Sequence, residues 1–204
     1  MAVATARPAV GALVPWVSRR AAIATQARTN TELGRQGLTL ADHGVPIASA
    51  LAGLLETDPE RDLRQLHGVD AQGTFAYTGS RCVDWCGHIV GAGFTIAGNM
   101  LAGEGVITAM AQAFAGCEPE DLPARLMIAL EAGQAAGGDK RGKQSASLLV
   151  ASELPRGYHN LRVDDHADPV AELRRVYEVA VAHWDRVGRE YGPEGQRLFG
   201  RIKY

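Results

Sequence analysis

The residues whose types and spacing best suit chemistry lie in a glycine-rich segment from Gly79 to Gly103, GSRCVDWCGHIVGAGFTIAGNMLAG. Glycine lets the backbone approach a ligand closely, and polar side chains next to it supply hydrogen bonds or nucleophiles. The segment holds a Ser-Arg-Cys triplet, a second cysteine, a histidine and an Asn-Met-Leu triplet. Catalysis, metal binding and an array of tight turns are the three interpretations of this composition.

Metal binding is suggested by Cys82, Cys86 and His88, which are spaced as Cys-x3-Cys-x-His. Zinc takes a closed tetrahedral set of nitrogen and sulfur ligands, and His43 or His67 would complete such a set. Structural zinc sites usually bring two closely spaced pairs of ligands, however, and the sequence has no second pair. Small buried thiols are therefore the favoured interpretation, and we predict no metal.

Three further clusters contain residue types used in binding or catalysis. Arg28 and Asn30 follow a predicted strand, where they either contact a carboxylate or amide substrate or form a turn. Segment 137–145, GGDKRGKQS, offers backbone amides and cations to an anion but lacks P-loop spacing, which favours a solvated loop. Segment 164–166, Asp-Asp-His, could act as acid and base, although the end of a strand is favoured. The sequence has no Ser-His-Asp order with a nucleophile elbow, so a hydrolase of that type is not supported.

Composition describes an ordinary globular chain. Its 204 residues suit one domain with a sizeable core, and 46% of them are hydrophobic. With a net charge of -2, the chain does not attract nucleic acid or anionic lipid electrostatically. No apolar run approaches the roughly 20 residues that span a bilayer, and an odd count of 3 cysteines argues against a disulfide framework. We expect a cytoplasmic protein.

The elements that must position these side chains follow the order strands, helix, strands, two helices, strands, helix. Helical patterns cover 38–55 (with the main helix beginning near Val45), 105–115, 122–136 and 169–191, and strand patterns cover 1–6, 20–27, 64–69, 74–78, 93–98, 143–151 and 161–164. This order predicts an α+β fold with helices packed on both sides of antiparallel sheets. We expect a single domain, 1–204, ending in the amphipathic helix at about 169–191.

The strand pattern at the beginning of the chain starts at Met1, with no polar residues leading into it. Sheets of two strands are marginal, so this strand needs further neighbours. We therefore expect an additional strand upstream of Met1.

Several stretches together resemble a known family. They are GALVPW, ATQARTN, GVDAQGTFAYTGSRC, GHIVGAGFTIAGNMLAG, GGDKRGKQSASLLV and LRVDDHADPVAELRRVYE. In this collinear order, from about Met1 to Glu178, they are similar to the bacterial domain of unknown function number 1028, placed within the N-terminal nucleophile (Ntn) hydrolase superfamily.

The superfamily resemblance implies a four-layer α-β-β-α sandwich. It also implies chemistry in which the first residue of the mature chain (Thr, Ser or Cys) attacks an amide carbonyl while its own α-amino group acts as the base. Similar proteins begin earlier, with a strand that carries this nucleophile, so the resemblance implies that the first strand is missing here and that the nucleophile lies upstream of Met1. Either the start codon is placed too late or the catalytic strand has been lost, because the thioether of Met1 has no proton to give up.

The resemblance also implies where a substrate binds. Strand ends in this fold place a set of side chains at the pocket, namely Thr5, Arg7, Gln26, Arg28, Asn30, Ser80, Arg81 and Asn99. The leading hypothesis is an amidohydrolase that acts on a small amide or peptide-like substrate without a cofactor. The rival hypothesis is a catalytically silent subunit that binds a ligand or serves in an assembly. We expect a small-molecule substrate and a homo-oligomer, with neither nucleic acid nor membrane as partner.

Overall fold

The computed structural model of the chain describes residues 1–118, 120–153 and 157–199. These residues form a mixed α/β fold of five α-helices and three antiparallel sheets. The helices are α1 (Thr31–Asp42), α2 (Ile47–Thr57), α3 (Gly105–Gly116), α4 (Leu122–Ala135) and α5 (Pro169–Phe199). The strands are β1 (Ala2–Thr5), β2 (Pro15–Val17), β3 (Ala21–Ala27), β4 (Arg64–Asp70), β5 (Thr74–Thr78), β6 (Gly87–Gly91), β7 (Phe94–Gly98), β8 (Ser145–Val150) and β9 (His159–Val163).

The four-stranded sheet, in the order β2-β3-β4-β5, carries α1 and α2 on one face. Alternate residues of a strand point to opposite faces, and Ile23 of β3 and Leu66 of β4 face the helices. Both are fully buried with Leu51 of α2. The intervening residues of β3 and β4, among them Gln26 and His67, therefore point to the other face of the sheet.

The three-stranded sheet, in the order β1-β8-β9, packs against α4 and α5. Ala146 and Leu148 of β8 lie in a buried cluster with Met127 of α4 and Leu173 of α5. Ser145 and Ser147 alternate with them and face the turn that follows β1, where the Ser145 hydroxyl donates to the carbonyl of Arg7 at 2.5 Å. The remaining sheet is the hairpin β6-β7, which lies against β4 and β5.

Most of the predicted elements are confirmed, including the β4-β5 hairpin and the expectation of helices with antiparallel sheets. The helical pattern over 38–55 is divided between two helices. The main helix predicted to begin near Val45 is confirmed as α2, but residues 38–42 belong to the separate helix α1, so a continuous helix over 38–55 was wrong. Gly44, at φ 90°, follows the end of α1, and Pro46 precedes the first turn of α2. The last helix runs beyond 191 to Phe199, with a break at Gly192. No helix among the described residues is both long and apolar enough to cross a membrane.

Candidate functional site

A cavity of about 580 Å³ lies where the two larger sheets and the β6-β7 hairpin meet. The residues from Met1 to Thr5 line one side of it, and all of β7 lines the opposite side. The inner faces of β3 and β4 form a third wall through Ala24, Gln26 and His67. Apolar side chains of α3 and α4 close the fourth side, namely Val106, Ile107, Met110, Phe114, Leu126, Ala129 and Leu130.

The two strands that flank the cavity each have a free edge. Among the described residues β1 pairs only with β8, and β7 pairs only with β6. Met1 and Leu149 exchange both of their backbone hydrogen bonds, at 2.7 and 2.9 Å. Because such pairs alternate along an antiparallel ladder, the N–H and C=O groups of Ala2 and Ala4 point away from β8, towards the cavity.

β1 and β7 run in the same direction across the cavity, because their C-terminal ends meet the same segment, 139–141. The N–H of Ala6, just after β1, donates to Asp139 Oδ2 at 3.4 Å. The N–H of Lys140 donates to the carbonyl of Met100, just after β7, at 2.9 Å. The cavity therefore has a polar end at this segment and an apolar body between the two strands.

Asp139 organises the polar end. Its carboxylate forms an ion pair with Arg141 at 2.5 Å, and Arg141 also donates to Thr5 Oγ1 at 3.3 Å. Burial opposes ionisation of this carboxyl, but the hydrogen bonds from Arg141 and from the N–H of Ala6 hold the pKa of Asp139 below its ordinary value. Asp139 is consequently a charged anchor for the end of β1 and is not a proton donor at neutral pH.

Three side-chain amides form a cluster beside this end. Gln65 is fully buried, and its Oε1 accepts hydrogen bonds from Gln26 Nε2 at 2.8 Å and from Asn99 Nδ2 at 3.3 Å. Its Nε2 lies within hydrogen-bonding distance of Thr78 Oγ1 and of the carbonyls of Gly87 and Gly98, at 2.9 to 3.0 Å. Each amide nitrogen of Gln26 and Asn99 has two hydrogens, and Gln65 takes one of each. Both residues line the cavity, and no hydrogen bond to the described residues engages the second N–H of either amide.

His67 and Thr95 form a hydrogen-bonded pair in the cavity wall, with His67 Nδ1 at 2.9 Å from Thr95 Oγ1. Burial, with a smaller contribution from the charge of His88, lowers the pKa of His67 to about 4. A hydroxyl beside an imidazole is the arrangement of a nucleophile and its base. A base with so low a pKa is poorly matched to proton transfer at neutral pH, however, so this pair suits hydrogen bonding better than catalysis.

The structure brings together four of the eight predicted substrate-binding residues. Thr5, Arg7, Gln26 and Asn99 all line the cavity. The other four do not line it. Arg28 pairs with Glu60 at 2.9 Å, and Asn30 caps α1 by accepting from the N–H of Glu32 at 3.1 Å. Ser80 and Arg81 are exposed in the loop after β5.

The cysteine-rich part of the segment from Gly79 to Gly103 lies outside the cavity lining. Cys82 Sγ donates to the carbonyl of Arg64 at 3.3 Å, and Cys86 Sγ donates to the carbonyl of Cys82 at 3.6 Å. Burial raises the pKa of both thiols, which disfavours the thiolate. His88 instead hydrogen-bonds Thr78 through Nδ1 at 2.9 Å. No group of three or more His, Cys, Asp or Glu side chains suited to a metal occurs within the described part of the chain.

Reasoning from the sequence did not assign Gln65 or His67 to the cavity, and it favoured a solvated loop for segment 137–145, which contains Asp139 and Arg141. A signal for the first two was present, because they alternate with apolar residues in the strand pattern RQLHGVD and so share one face of β4. No local signal marks the contact of Asp139 with β1, since the N–H of Ala6 that it accepts from is 133 residues away in the sequence.

Two comparisons with known proteins give a match, and a third, with curated proteins, gives none. The chain resembles protein SPO2555 from Silicibacter pomeroyi, a crystal structure assigned to DUF1028, with 32% sequence identity and a TM-score of 0.81. This likeness covers 91% of the present chain and 83% of the other. The model of the family of unknown function DUF1028 matches residues 1–173, and these include every helix and strand given above except α5, of which only the beginning is matched. A match over so much of the chain, with the same fold in a relative of that family, means that the protein belongs to DUF1028.

Proposed function

We propose that the protein is an amide-bond hydrolase of the Ntn type with a four-layer α-β-β-α sandwich, and that the polar end of the cavity binds a small amide or peptide-like substrate. The observation that carries the proposal is the cavity itself. It is apolar along its body and at one end gathers amide donors, a paired carboxylate and cations. Sites for small molecules are typically apolar with a few converging polar groups.

The proposal assigns the body of the cavity to one further strand. An extended segment between β1 and β7 would run antiparallel to both and pair with both free edges. Its first residue would then lie at the polar end, beside Thr5, Asn99 and Asp139. Adjacent strands lie about 4.8 Å apart, so one further strand fits between β1 and β7 when these two strands are separated by about two such spacings.

The chemistry follows from that position. The hydroxyl or thiol of the first residue loses its proton to the α-amino group and adds to the carbonyl carbon of the substrate amide. The oxyanion that forms accepts hydrogen bonds from the second N–H groups of Gln26 and Asn99. The carbon–nitrogen bond then breaks, the amine leaves with the proton, and water releases the acid and restores the nucleophile.

The enzyme proposal is tested by extending the chain with the codons encoded immediately before Met1. The extended protein is treated with an amide-derived acylating inhibitor, and the adduct is located by mass spectrometry. We expect one acyl group on the first residue, and none after that residue is changed to Ala. An extended protein without an adduct and without hydrolysis of any amide in a substrate screen would contradict the proposal.

A second proposal is a catalytically silent subunit that binds a ligand. It is favoured by one observation, that the hydroxyls of Thr5 and Thr95 in the cavity lining have no efficient base beside them. Thr5 accepts a hydrogen bond from Arg141, and the imidazole beside Thr95 has a pKa of about 4. Native mass spectrometry of the 204-residue chain would support this proposal by finding a folded oligomer with a ligand retained in it.

A further inference from the structure

We infer that the ligand of the polar end carries a carboxylate close to its amide, and that Arg7 binds this carboxylate. The inference names the substrate class and rests on the proposed function for the amide part of the ligand. The binding of an anion by Arg7 can be tested separately from hydrolysis.

The charges that line the polar end are unbalanced. Arg7, Arg141 and Lys143 line the cavity, whereas Asp139 is the one acidic residue in the described lining. Asp139 is already neutralised by Arg141 at 2.5 Å. Lys143 has its own partner in Asp168 at 3.2 Å.

Arg7 differs from the other two cations because its guanidinium has no hydrogen-bond or ion-pair partner among the described residues. A guanidinium presents a planar set of N–H donors that fits a carboxylate with two parallel hydrogen bonds. An arginine in a cavity wall without a carboxylate of its own therefore provides the complement for an anionic ligand.

The backbone that carries Arg7 is held firmly in place. The N–H of Ala6 donates to Asp139, and the carbonyl of Arg7 accepts from the Ser145 hydroxyl at 2.5 Å. The N–H of Ala9 donates to the carbonyl of Asp164 at 2.9 Å, and Ala9 has a positive φ of 57°. Since three contacts fix the turn, little backbone order is lost on binding, and the exposed side chain of Arg7 is free to turn towards the ligand.

The position of Arg7 also fixes where the anionic group must lie in the ligand. Arg7 follows β1 by two residues, at the end of the cavity where Thr5 and Asn99 lie. This end is the one to which the proposed function assigns the scissile amide. A carboxylate bound there is separated from that amide by only a few bonds, as in an N-acyl amino acid.

The test uses the 204-residue chain and two probes that differ in one group, N-acetylglycine and N-acetylglycinamide. Isothermal titration at low salt should show tighter binding of the acid by roughly tenfold, the effect of one charge-assisted pair. Arg7→Gln should remove this preference and leave the affinity for the amide unchanged, while Arg7→Lys should restore part of it. Arg20→Gln is the matched control, because Arg20 is exposed at the β2-β3 turn, outside the lining of this cavity.

Equal affinities for the two probes, or a preference that survives Arg7→Gln, would overturn the inference. The absence of binding by N-acetylglycine would overturn it as well. Circular dichroism and thermal unfolding of Arg7→Gln show whether the variant is folded, which we expect because the Arg7 side chain has no hydrogen bond or ion pair with the described residues that the substitution would break.

Failure of the inference is distinguishable from failure of the proposed function. If the extended protein hydrolyses acidic and neutral amides with equal kcat/KM, the hydrolase proposal holds and the role of Arg7 is refuted. If the extended protein is inert while the 204-residue chain binds N-acetylglycine through Arg7, the anion site holds and hydrolysis is refuted.

Discussion

Gln26 Nε2 donates to Gln65 Oε1 at 2.8 Å, so a pair of side-chain amides joins β3 to β4 on the face that borders the cavity. Gln65 is fully buried and also contacts the carbonyls of Gly87 and Gly98, at the two paired ends of the β6-β7 hairpin. One side chain therefore fixes the position of that hairpin relative to the larger sheet.

We expect Gln65→Leu to lower the free energy of unfolding by about 2–4 kcal/mol, because it leaves two buried carbonyls and two amides without a partner. Urea denaturation measures the loss. Gln72→Leu, at an exposed position in the β4-β5 turn, is the control and should change stability by less than about 0.5 kcal/mol. A similar small change for Gln65→Leu would show that water replaces the lost amide.

His67 makes stability depend on pH. Its pKa is lowered by burial from 6.5 to about 4, so the unfolded chain takes up a proton at a higher pH than the folded chain does. The contribution of neutral His67 to the free energy of unfolding is fully present above pH 6.5 and decreases as the pH drops towards 4. Below pH 4 the free energy of unfolding is lower by about 3 kcal/mol. His67→Gln should abolish this part of the pH dependence in urea titrations, whereas His43→Gln, at an exposed position, should not. Parallel pH profiles for His67→Gln and the parent chain would contradict the assignment.

Asp139→Asn should loosen the turn after β1 and weaken ligand binding at the polar end. The pKa of Asp139 is lowered, so its contribution to stability is present above the unfolded-state pKa of about 3.8 and is lost as the pH falls further. We expect a loss of about 1 kcal/mol at pH 7, since Arg141 is partly exposed to solvent. Thermal unfolding at pH 7 and pH 3 measures the difference, which should nearly vanish at the lower pH.

The control for Asp139 is Asp164→Asn, which removes an aspartate that pairs with Arg162 in a more exposed setting. We expect almost no change in stability from it. Equal effects of the two substitutions would show that the hydrogen bonds of Asp139 with Ala6 and of Arg141 with Thr5 contribute nothing to stability.

The free edge of β1 is tested with proline. Ala4→Pro removes an N–H that points to the cavity, so the ladder with β8 should survive and stability should change by less than about 1 kcal/mol. Val3→Pro removes an N–H that faces Ser147 in the ladder and should cost more than about 2 kcal/mol. In the extended protein Ala4→Pro should also suppress acylation, because the incoming strand loses a partner. If Ala4→Pro destabilised the protein more than Val3→Pro, the N–H of Ala4 and not that of Val3 would be the one bonded to β8, which would contradict the assignment of the free edge.

Elements with strong local signals could be predicted from the sequence. The turn between β4 and β5 is one of these, because Asp70 accepts hydrogen bonds from the N–H groups of Gln72 and Gly73 at 2.8 Å. Asp121 accepts from the N–H of Ala124, and Pro123 lies in the first turn of α4, as expected for the beginning of a helix.

Helix α1 could not be predicted, because its glycines argue against a helix when only local propensity is considered. Gly34 and Gly37 are required by tertiary packing. A Cβ on Gly34 would lie 2.2 Å from Trp16 Cδ1, and one on Gly37 would lie 2.8 Å from Ile23 Cδ1. The helix therefore packs against β2 and β3 at a distance that only glycine permits.

The cavity was beyond prediction for a different reason. Its two flanking strands, β1 and β7, are far apart in the sequence, and neither strand pattern indicates which edge remains unpaired. Thr5, Arg7, Gln26 and Asn99 all line the cavity, but their convergence depends on segment 139–141, which contacts the ends of both β1 and β7 over long distances in the sequence.

The recessed position of β1 also governs how the protein meets other chains. An exposed strand edge is a template for uncontrolled self-association, which many proteins prevent with charges or bulges. Here α4 covers the β1 strand, and Ala2 and Ala4 pack against the apolar cluster beneath that helix. The helix covers a face of β1, while its free edge borders the cavity that β7 also lines. The space beside that edge therefore suits a single extended segment better than the edge of a whole sheet from a second molecule.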